Sequence, residues 1–478
     1  MRTIAKTILR KNRTSPLLTE KCWKTKTWKT YFQDDLIQYT DYCIYQLKQT
    51  NVQCGDRVVY RGKNSIQWLA WNMACNSMGA IWVPVYEKQS NEYYQYIIQD
   101  CEPKVVLSKD EKDWKDIPVT FLPNDIDKEL HYTSLENMKQ HDIATLIYTS
   151  GTTGLSKGVI LTNENILSNV QSIYKMYFDV AKMKSLNLLP WAHVYGQTCE
   201  LYYNLIYDHH TVLCSQKESF IQECRLFQPT VLFVVPFVLQ QIQMKIEIFD
   251  KPGLSWIIPS LLQQLLGKKI KMIFVGGAPL PTETADFFEK HGICLCQGYG
   301  STETSPMISL NHWRYPRKEN SVGAVLEDVQ VKIVDNEICV RGPNVMQGYW
   351  NHPRLKDEDW YKTGDTGYLE ENFLFYTGRK KENFKLSNGR FIHVNELEKR
   401  LKKALPHTNY ILCYHKGICI IADKKVNVEI LNKHLDSHEK IQKSYYVDPT
   451  ILKTKFMTPK MSIKRLALQE FILQEFAL

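Results

Sequence analysis

Apolar and polar positions follow two rhythms along this chain. Leu36, Tyr39, Cys43 and Leu47 fall near helical spacing, and residues 34–50 read as a helix. Residues 56–60 then read as a short strand, 65–79 as a second helix and 80–85 as another strand. Residues 105–107 and 143–149 are strand-like in turn. The middle third repeats the pattern, with buried-strand candidates at 231–235 and 271–275, each closed by a Pro or Gly breaker. Such alternation implies a mostly parallel α/β sheet. After Gly323 the rhythm changes. Residues 329–334 and 337–340 alternate as short strands around Asp335-Asn336, a hairpin pattern, so a β-rich subdomain is expected over about 323–378. The charged stretch Gly378-Arg379-Lys380-Lys381-Glu382 marks a boundary near Lys381, with a large domain over 1–380 and a small one over 381–478.

A length of 478 residues exceeds what one core normally serves, which agrees with that division. Hydrophobic residues at 44% and charged residues at 23% speak against disorder, collagen or a coiled coil. The longest apolar stretch, 231–239, has nine residues including a proline, whereas a membrane-spanning helix needs about twenty. No transmembrane segment is expected. Thirteen cysteines are scattered singly apart from Cys294 and Cys296, so neither a disulfide framework nor a zinc site is expected, and a reducing, cytoplasmic setting fits.

Charge is uneven. Residues 379–478 hold 20 basic and 10 acidic residues, +10 of the +9 net total, which leaves −1 for the rest. A basic C-terminal fifth suits a phosphate-rich ligand, a membrane surface, nucleic acid or simply a solvated lysine face. Nucleic acid is disfavoured because interleaved aromatics and a recognised motif are missing. At the other end, Arg2, Lys6, Arg10, Lys11 and Arg13 precede any acid, and Ile4, Ile8 and Leu9 can share one helical face. That suits a short transit peptide for mitochondrial import or a peripheral membrane contact. A frayed basic end is the plainer expectation. Nothing in the sequence speaks to an oligomeric state.

The most informative chemistry lies at 147–159. An apolar run enters a loop of Thr149, Ser150, Gly151, Thr152, Thr153 and Gly154, closed by Lys157. Glycines let the backbone turn and approach a ligand, hydroxyls and N–H groups donate, and the lysine adds charge, all of which suits phosphate. It is not a Walker A loop, since no Gly-Lys-Ser/Thr closes it. A flexible Ser/Thr/Gly loop is the plainer alternative. Serine hydrolase, kinase and zinc peptidase signatures are absent.

The segment Tyr148-Thr149-Ser150-Gly151-Thr152-Thr153-Gly154-Leu155-Ser156-Lys157-Gly158 resembles the phosphate loop of the adenylate-forming enzymes. That family includes acyl-CoA synthetases, luciferases and peptide-synthetase adenylation domains. Further segments resemble its motifs in its order. Leu189-Pro190-Trp191-Ala192-His193 resembles the border of the acyl pocket, and Gly276-Gly277-Ala278-Pro279-Leu280 the adenine-lining turn. Residues 297–304 resemble the central nucleotide motif, 337–342 and 348–350 the next block, 361–365 the ribose block and 378–381 the hinge. The likeness runs from about residue 28 to about 465.

This resemblance implies a large N-terminal α/β domain of mixed, mostly parallel sheets and a small α+β C-terminal domain on a hinge. It implies ATP held by Thr149, Ser150, Gly151, Thr152, Thr153, Gly154 and Lys157, by Gly277, Ala278, Gly298, Tyr299, Gly300 and Thr302, and by Asp365 and Arg379. Glu303, with Thr149, would hold Mg2+ near the phosphates. Tyr299 offers adenine a flat face, Gly300 permits close approach, Asp365 accepts from both ribose hydroxyls, and Arg379 donates to ribose or phosphate. Lys157, Glu303, Lys381, Lys460 and Lys464 are the catalytic candidates, and Trp191 and His193 the substrate candidates. Taken alone, each has a bland reading as a surface, turn or packing residue.

The implied reaction has two steps. An acid attacks the α-phosphate of ATP, giving an acyl-adenylate and pyrophosphate, and the thiol of coenzyme A then displaces AMP. Between them the small domain turns about Lys381. Two positions depart from the pattern. Ser156 stands where the family usually has Pro. The ending Thr458-Pro459-Lys460-Met461-Ser462-Ile463-Lys464-Arg465 resembles that of long-chain synthetases, but the adenylating lysine falls on Ser462. Lys460 and Lys464 lie two residues to either side, on the same face of an extended segment. The ending points to a medium- or long-chain fatty acid. An acyl-AMP or acyl-carrier-protein ligase, and a catalytically decayed nucleotide- or acyl-binding protein, stand as alternatives.

Overall fold

A computed structural model describes the chain apart from residues 1–2, 23–24, 109–142, 150–155, 178–181, 313–316, 357, 383, 386–390, 393, 403, 406–407, 415–416, 434, 438, 458–462 and 476–478. Two large sheets carry the described N-terminal part. In the thirteen-stranded sheet, Leu18–Lys21, His210–Leu213, Lys184–Asn187, Val231–Val234, Met272–Val275 and Cys294–Gly300 lie side by side in parallel. From Gly298 onward the sheet becomes antiparallel, through Met307–Leu310, Ala324–Val325, Phe373–Arg379, Tyr361–Glu370, Glu337–Arg341 and Gln330–Val334. The six-stranded sheet joins Val105–Leu107, Arg57–Arg61, Ile81–Val85 and Ile143–Thr149 in parallel, then adds Lys157–Thr162 and Gly348–Tyr349 antiparallel. A small C-terminal domain has its own three-stranded sheet, Tyr410–Tyr414, Ile418–Ala422 and Ile441–Tyr446, and its own apolar clusters.

Local chemistry explains most elements. The helix Ile66–Met78 starts where the Ser65 hydroxyl accepts the Trp68 N–H at 3.1 Å, and it stops at Gly79, whose φ of 71° suits glycine. It is apolar nearly all round and correspondingly buried, with the Trp68 ring 5.2 Å from Trp82 and 5.4 Å from Trp191. Val231–Val234 and Met272–Val275 are buried at each position, as strands covered on both faces must be. The hairpin expected after Gly323 forms around Asp335 and Asn336, with φ of 50° and 61°, the pair of left-handed residues a two-residue turn requires.

The N-terminus corrects an expectation. Instead of fraying, Ile4–Leu9 forms a helix capped by the Thr3 hydroxyl, and Ile4, Ala5, Ile8 and Leu9 are buried in the main core. Burying three aliphatic side chains at roughly 2 kcal/mol each is enough to order a helix too short to persist alone. Polar ties add to this. Asn163 Oδ1 accepts the Ile4 N–H at 2.9 Å, Gln33 Nε2 donates to the Ile8 carbonyl at 2.9 Å, and Arg13 donates to the Pro16 and His209 carbonyls at 2.5 and 2.6 Å. The same burial removes the apolar face that a membrane contact at this helix would need. Among the described residues, no helix is long and apolar enough to cross a membrane. The thirteen cysteines are unbridged, with the Cys294 and Cys296 sulfurs 4.0 Å apart.

Candidate active site

The parallel run of the large sheet ends at Gly276-Gly277 and Gly298-Tyr299. There the strand Cys294–Gly300 changes from a parallel neighbour on one side to an antiparallel neighbour on the other. Carboxyl ends of parallel strands are where open α/β sheets take ligands. A Cβ on Gly276 would lie 3.3 Å from the Gly298 carbonyl oxygen, so the two segments approach closely. At Gly300 a Cβ would stand 1.7 Å from the Pro306 carbonyl oxygen. The visible reason for that glycine is this packing against Pro306. Thr302, Glu303 and Thr304 follow as one turn of 3-10 helix.

Asp365 faces Arg379 as a cross-strand pair of Tyr361–Glu370 and Phe373–Arg379. Its Oδ1 lies 2.9 Å from Arg379 Nε, the Tyr299 hydroxyl donates to Oδ2 at 2.7 Å, and its own N–H donates to Thr363 Oγ1 at 3.1 Å. The carboxylate is buried, yet Oδ1 has no hydrogen bond despite the nearby guanidinium. Burial pushes the Asp365 pKa up, against the pull of Arg379 and the Tyr299 hydroxyl. Burial alone would lower the Arg379 guanidinium, but Asp365, joined by Tyr376, Tyr299 and Glu382, outweighs it and holds the pKa above the ordinary value. Burial and then Asp365 keep Tyr299 a neutral donor. Glu337 braces this pair from behind. Its Oε1 accepts the Gly364 N–H at 3.0 Å and its Oε2 takes Lys380 Nζ at 2.7 Å, one residue away from Asp365 and Arg379 respectively.

On the facing sheet, Thr149 and Lys157 are cross-strand partners at the mouth of the Ser/Thr/Gly loop. Ser150, Gly151, Thr152, Thr153 and Gly154 lie outside the described residues. The Ser156 hydroxyl donates to the Thr149 carbonyl, and the Tyr93 hydroxyl lies 3.0 Å from it. A serine thus cross-ties the base of the loop where proline stiffness was expected. Lys157 Nζ sits 5.0 Å above the Tyr349 ring, and the Tyr349 hydroxyl donates to Glu303 Oε1 at 2.9 Å. Tyr349 therefore links the lysine of one sheet to the carboxylate of the other. Burial and the Glu303 charge keep its hydroxyl protonated.

The sequence profile of the AMP-binding enzyme family matches residues 18–350, well over half of the chain. The chain belongs to the AMP-binding enzyme family. Among relatives, the long-chain-fatty-acid–CoA ligase FadD15 of Mycobacterium bovis is 27% identical over 423 residues, covering 73% of this chain and 70% of its own. The 2-succinylbenzoate–CoA ligase of Bacillus cereus is 28% identical over 384 residues, covering 74% of each. The crystal structure of ATP-bound MatB from Rhodopseudomonas palustris superposes with a TM-score of 0.80 at 21% identity over 98% of both chains, which shows the fold.

Not every residue marked by the family motifs joins the Asp365–Arg379–Tyr299 cluster. The Trp191 side chain is fully buried with its ring 5.4 Å from that of Trp68, and its backbone N–H donates to Asn64 Oδ1 at 2.9 Å, so in this structure it packs in the core. His193 is half-buried with its ring 6.0 Å from Tyr86. Gly277 is exposed and Ala278 half-buried just after the strand Met272–Val275. Lys460 and Ser462 lie outside the described residues. Lys464 is exposed, donating its N–H to the Phe456 carbonyl at 2.7 Å just before the helix Arg465–Glu475. Lys381 is exposed between Lys380 and Glu382.

Three contributors carried no role in the sequence reading. Glu337 and Tyr349 lay inside recognised blocks without one. Arg465 closes the terminal motif, and its guanidinium forks onto Glu398, at 2.8 Å to Oε1, and reaches Glu382 Oε2 at 3.3 Å. The only sequence signal for these was their position beside a motif residue.

Proposed function

We propose that the chain is an acid–CoA ligase that activates a medium- or long-chain fatty acid as its adenylate and passes the acyl group to coenzyme A. The observation that carries the nucleotide half is Asp365, whose buried Oδ1 lacks a hydrogen bond while Tyr299 and Arg379 stand at its sides. A carboxylate oxygen that Arg379 neighbours at 2.9 Å without an aligned hydrogen bond has acceptor capacity left for the hydroxyls of a ribose. Arg379 stays cationic, and Lys157 adds positive charge at the phosphate loop. In this reading the exposed Lys464, or Lys460, supplies the cation that the first step requires, and Lys381 is the hinge.

The donor set also fits Mg2+. Glu303 offers one carboxylate, one oxygen of which is engaged by Tyr349, and Thr149 offers a hydroxyl. Among the described residues, no group of three or more His, Cys, Asp or Glu forms a metal cage. One carboxylate suits an ion that completes its shell with phosphate oxygens and water. When bound, it would neutralise charge on the phosphates.

Support for the fatty acid comes from the mycobacterial relative and from the ending at 458–465. The +10 charge of residues 379–478 suits the phosphates of coenzyme A. A second reading, an aromatic acid such as 2-succinylbenzoate, is favoured by the Bacillus cereus relative, which covers the chain to the same extent. Release of AMP and pyrophosphate with Mg-ATP, with and without coenzyme A, tests both. The panel of acids would run from acetate to stearate and include 2-succinylbenzoate. Thioester formed only with coenzyme A, and with the highest kcat/KM for long chains, is expected. A preference for 2-succinylbenzoate gives the second reading. Adenylate without thioester would give a carrier-protein or adenylate-only enzyme, and ATP binding without pyrophosphate a decayed one.

A further inference from the structure

The N-terminal helix spends its apolar face on the core, but another surface leaves apolar side chains in water. Among the described residues, eleven large apolar side chains are exposed, and six of them fall between Leu226 and Trp256. Such clustering on a surface marks a place of contact. The helix Pro236–Ile246 buries Leu239, Ile242 and Ile246 and turns Phe237 and Met244 outward. Ile248, in the 3-10 turn Glu247–Phe249 that follows, continues the outward stripe. Spacings of seven and then four residues keep these three on one side. The chain next turns through 251–254 and presents Leu254 at 46% and Trp256 at 77% exposure.

This turn is built rather than loose. The Leu254 and Ser255 N–H groups both donate to the Lys251 carbonyl, at 3.0 and 3.2 Å, and Trp256 Nε1 donates to the Gly253 carbonyl at 3.1 Å. The indole N–H is therefore already satisfied, so the ring can enter an apolar medium without stranding a polar group. Charge accompanies it. Lys245 and Lys251 are exposed and form no ion pair with a described residue, while Asp250 is engaged by Lys290 at 2.8 Å and lies 3.6 Å from His291. Only Glu247, half-buried, opposes the two lysines in this stretch.

We propose that this stripe and turn dock the protein on an anionic bilayer, with Trp256, Leu254 and Ile248 entering the headgroup layer and Lys245 and Lys251 facing the lipid charge. An indole three-quarters exposed stands out from the surface, which suits insertion and leaves a flat protein partner little to pack against. Unpaired lysines beside apolar and aromatic side chains are the composition of interfacial anchors. The inference is independent of the acid the enzyme takes, although an acid that partitions into bilayers would be met there.

Vesicle flotation of the full-length protein tests it, using phosphatidylcholine vesicles with and without about one-fifth phosphatidylglycerol. Wild type is expected to float with the anionic vesicles and to release as salt rises toward about 0.5 M. Ile248→Ser with Trp256→Ser should lower partitioning by about tenfold or more, while Trp256→Phe retains most of it. Lys245→Glu with Lys251→Glu should lower binding to anionic vesicles selectively, and Lys424→Glu with Lys425→Glu, on the small domain, should not. Unchanged thermal midpoints establish that each variant folds. Equal flotation of wild type and the Ile248/Trp256 variant would overturn the proposal, as would wild type failing to float with any vesicle. A concentration-dependent dimer lost in the same variant would give the surface to a second copy and overturn it too.

Discussion

Asp365 carries a cost that the fold alone would not choose. Its pKa is raised in the folded state by burial, so the folded chain binds a proton more readily than the unfolded one. The sign follows from linkage: this group's contribution to stability is fully present below the unfolded pKa and is lost as pH rises through the folded one. At neutral pH the protein therefore holds a charge it would be more stable without, and the half-exposed Arg379 can turn to water if that charge is removed. Asp365→Asn is expected to keep or raise the thermal midpoint at pH 7, while pyrophosphate release falls by about a hundredfold or more. Calorimetry and a pyrophosphate assay on the same preparation check both halves, and a lower midpoint with intact turnover would refute the assignment. Tyr349 permits a finer test. Tyr349→Phe keeps the ring under Lys157 but deletes the hydrogen bond to Glu303, one neutral donor to a charged acceptor. Activity at limiting Mg-ATP should fall by about tenfold, as loss of such a bond implies, whereas Glu303→Gln should lower it further. Equal turnover of Tyr349→Phe and wild type would make that bond incidental.

Between residues and molecule, the elements decide which partners meet. Those elements whose chemistry is local were legible in the sequence: the helix from the Ser65 cap to the Gly79 stop, the hairpin at Asp335-Asn336, and the buried strands of the parallel run. What escaped was chemistry made by register. Glu337 meets Gly364 and Lys380 across 27 and 43 residues, and Tyr349 meets Glu303 across 46, because strands bring them together. No period in the sequence encodes such pairs. Nor does periodicity reveal the π-helix Tyr195–Tyr202, an uncommon element often found at functional sites, which follows the Leu189–His193 motif. Within it Glu200 is fully buried, with Asn187 Nδ2 donating to Oε2 at 2.6 Å and Oε1 without a hydrogen bond. Burial, opposed by the Asn187 and Ser185 bonds, pushes its pKa up to about 8. The folded chain thus keeps a neutral acid there, and stability should decline as pH rises through that value, by up to about 1.4 kcal/mol per unit. His209 and His210, pushed down to about 4 by burial, alter stability only at lower pH, up to the ordinary histidine value of 6.5. Thermal midpoints measured between about pH 6.5 and 8 should therefore fall in wild type and stay nearly flat in Glu200→Gln. Parallel slopes would mean that Glu200 does not hold that proton.

At the scale of the molecule the question is how the C-terminal part meets the proposed nucleotide site. The large sheet carries Asp365, Arg379 and Tyr299, with Glu303 just beyond it, whereas Lys464, proposed with Lys460 for the first step, lies in the C-terminal part. The described contacts tie down the residues on both sides of Lys381. Lys380 is tied to Glu337 on the large sheet at 2.7 Å, while Glu382 is tied to Arg465, which also grips Glu398 of the small domain. Lys381 is the exposed residue between these two anchors. Beyond the joint, the helix Val394–Lys402 packs on Phe373–Arg379, and Lys402 reaches Glu283 at 3.8 Å, an exposed pair worth little. If the domain turns at Lys381, locking that residue should separate the two steps. Lys381→Pro fixes its φ near −65° and so holds the joint close to one arrangement. Pyrophosphate exchange should then stay within about threefold of wild type, while thioester formation from preformed adenylate falls by at least about a hundredfold. Single replacements of Lys460 and Lys464 should give the opposite pattern for whichever lysine serves adenylation, with exchange lost and thioester formation kept. Losing both steps equally in Lys381→Pro would place the defect in folding or in the proposed nucleotide site itself. Losing neither would move the hinge away from Lys381, leaving the Glu337–Lys380 and Glu382–Arg465 pairs as static braces.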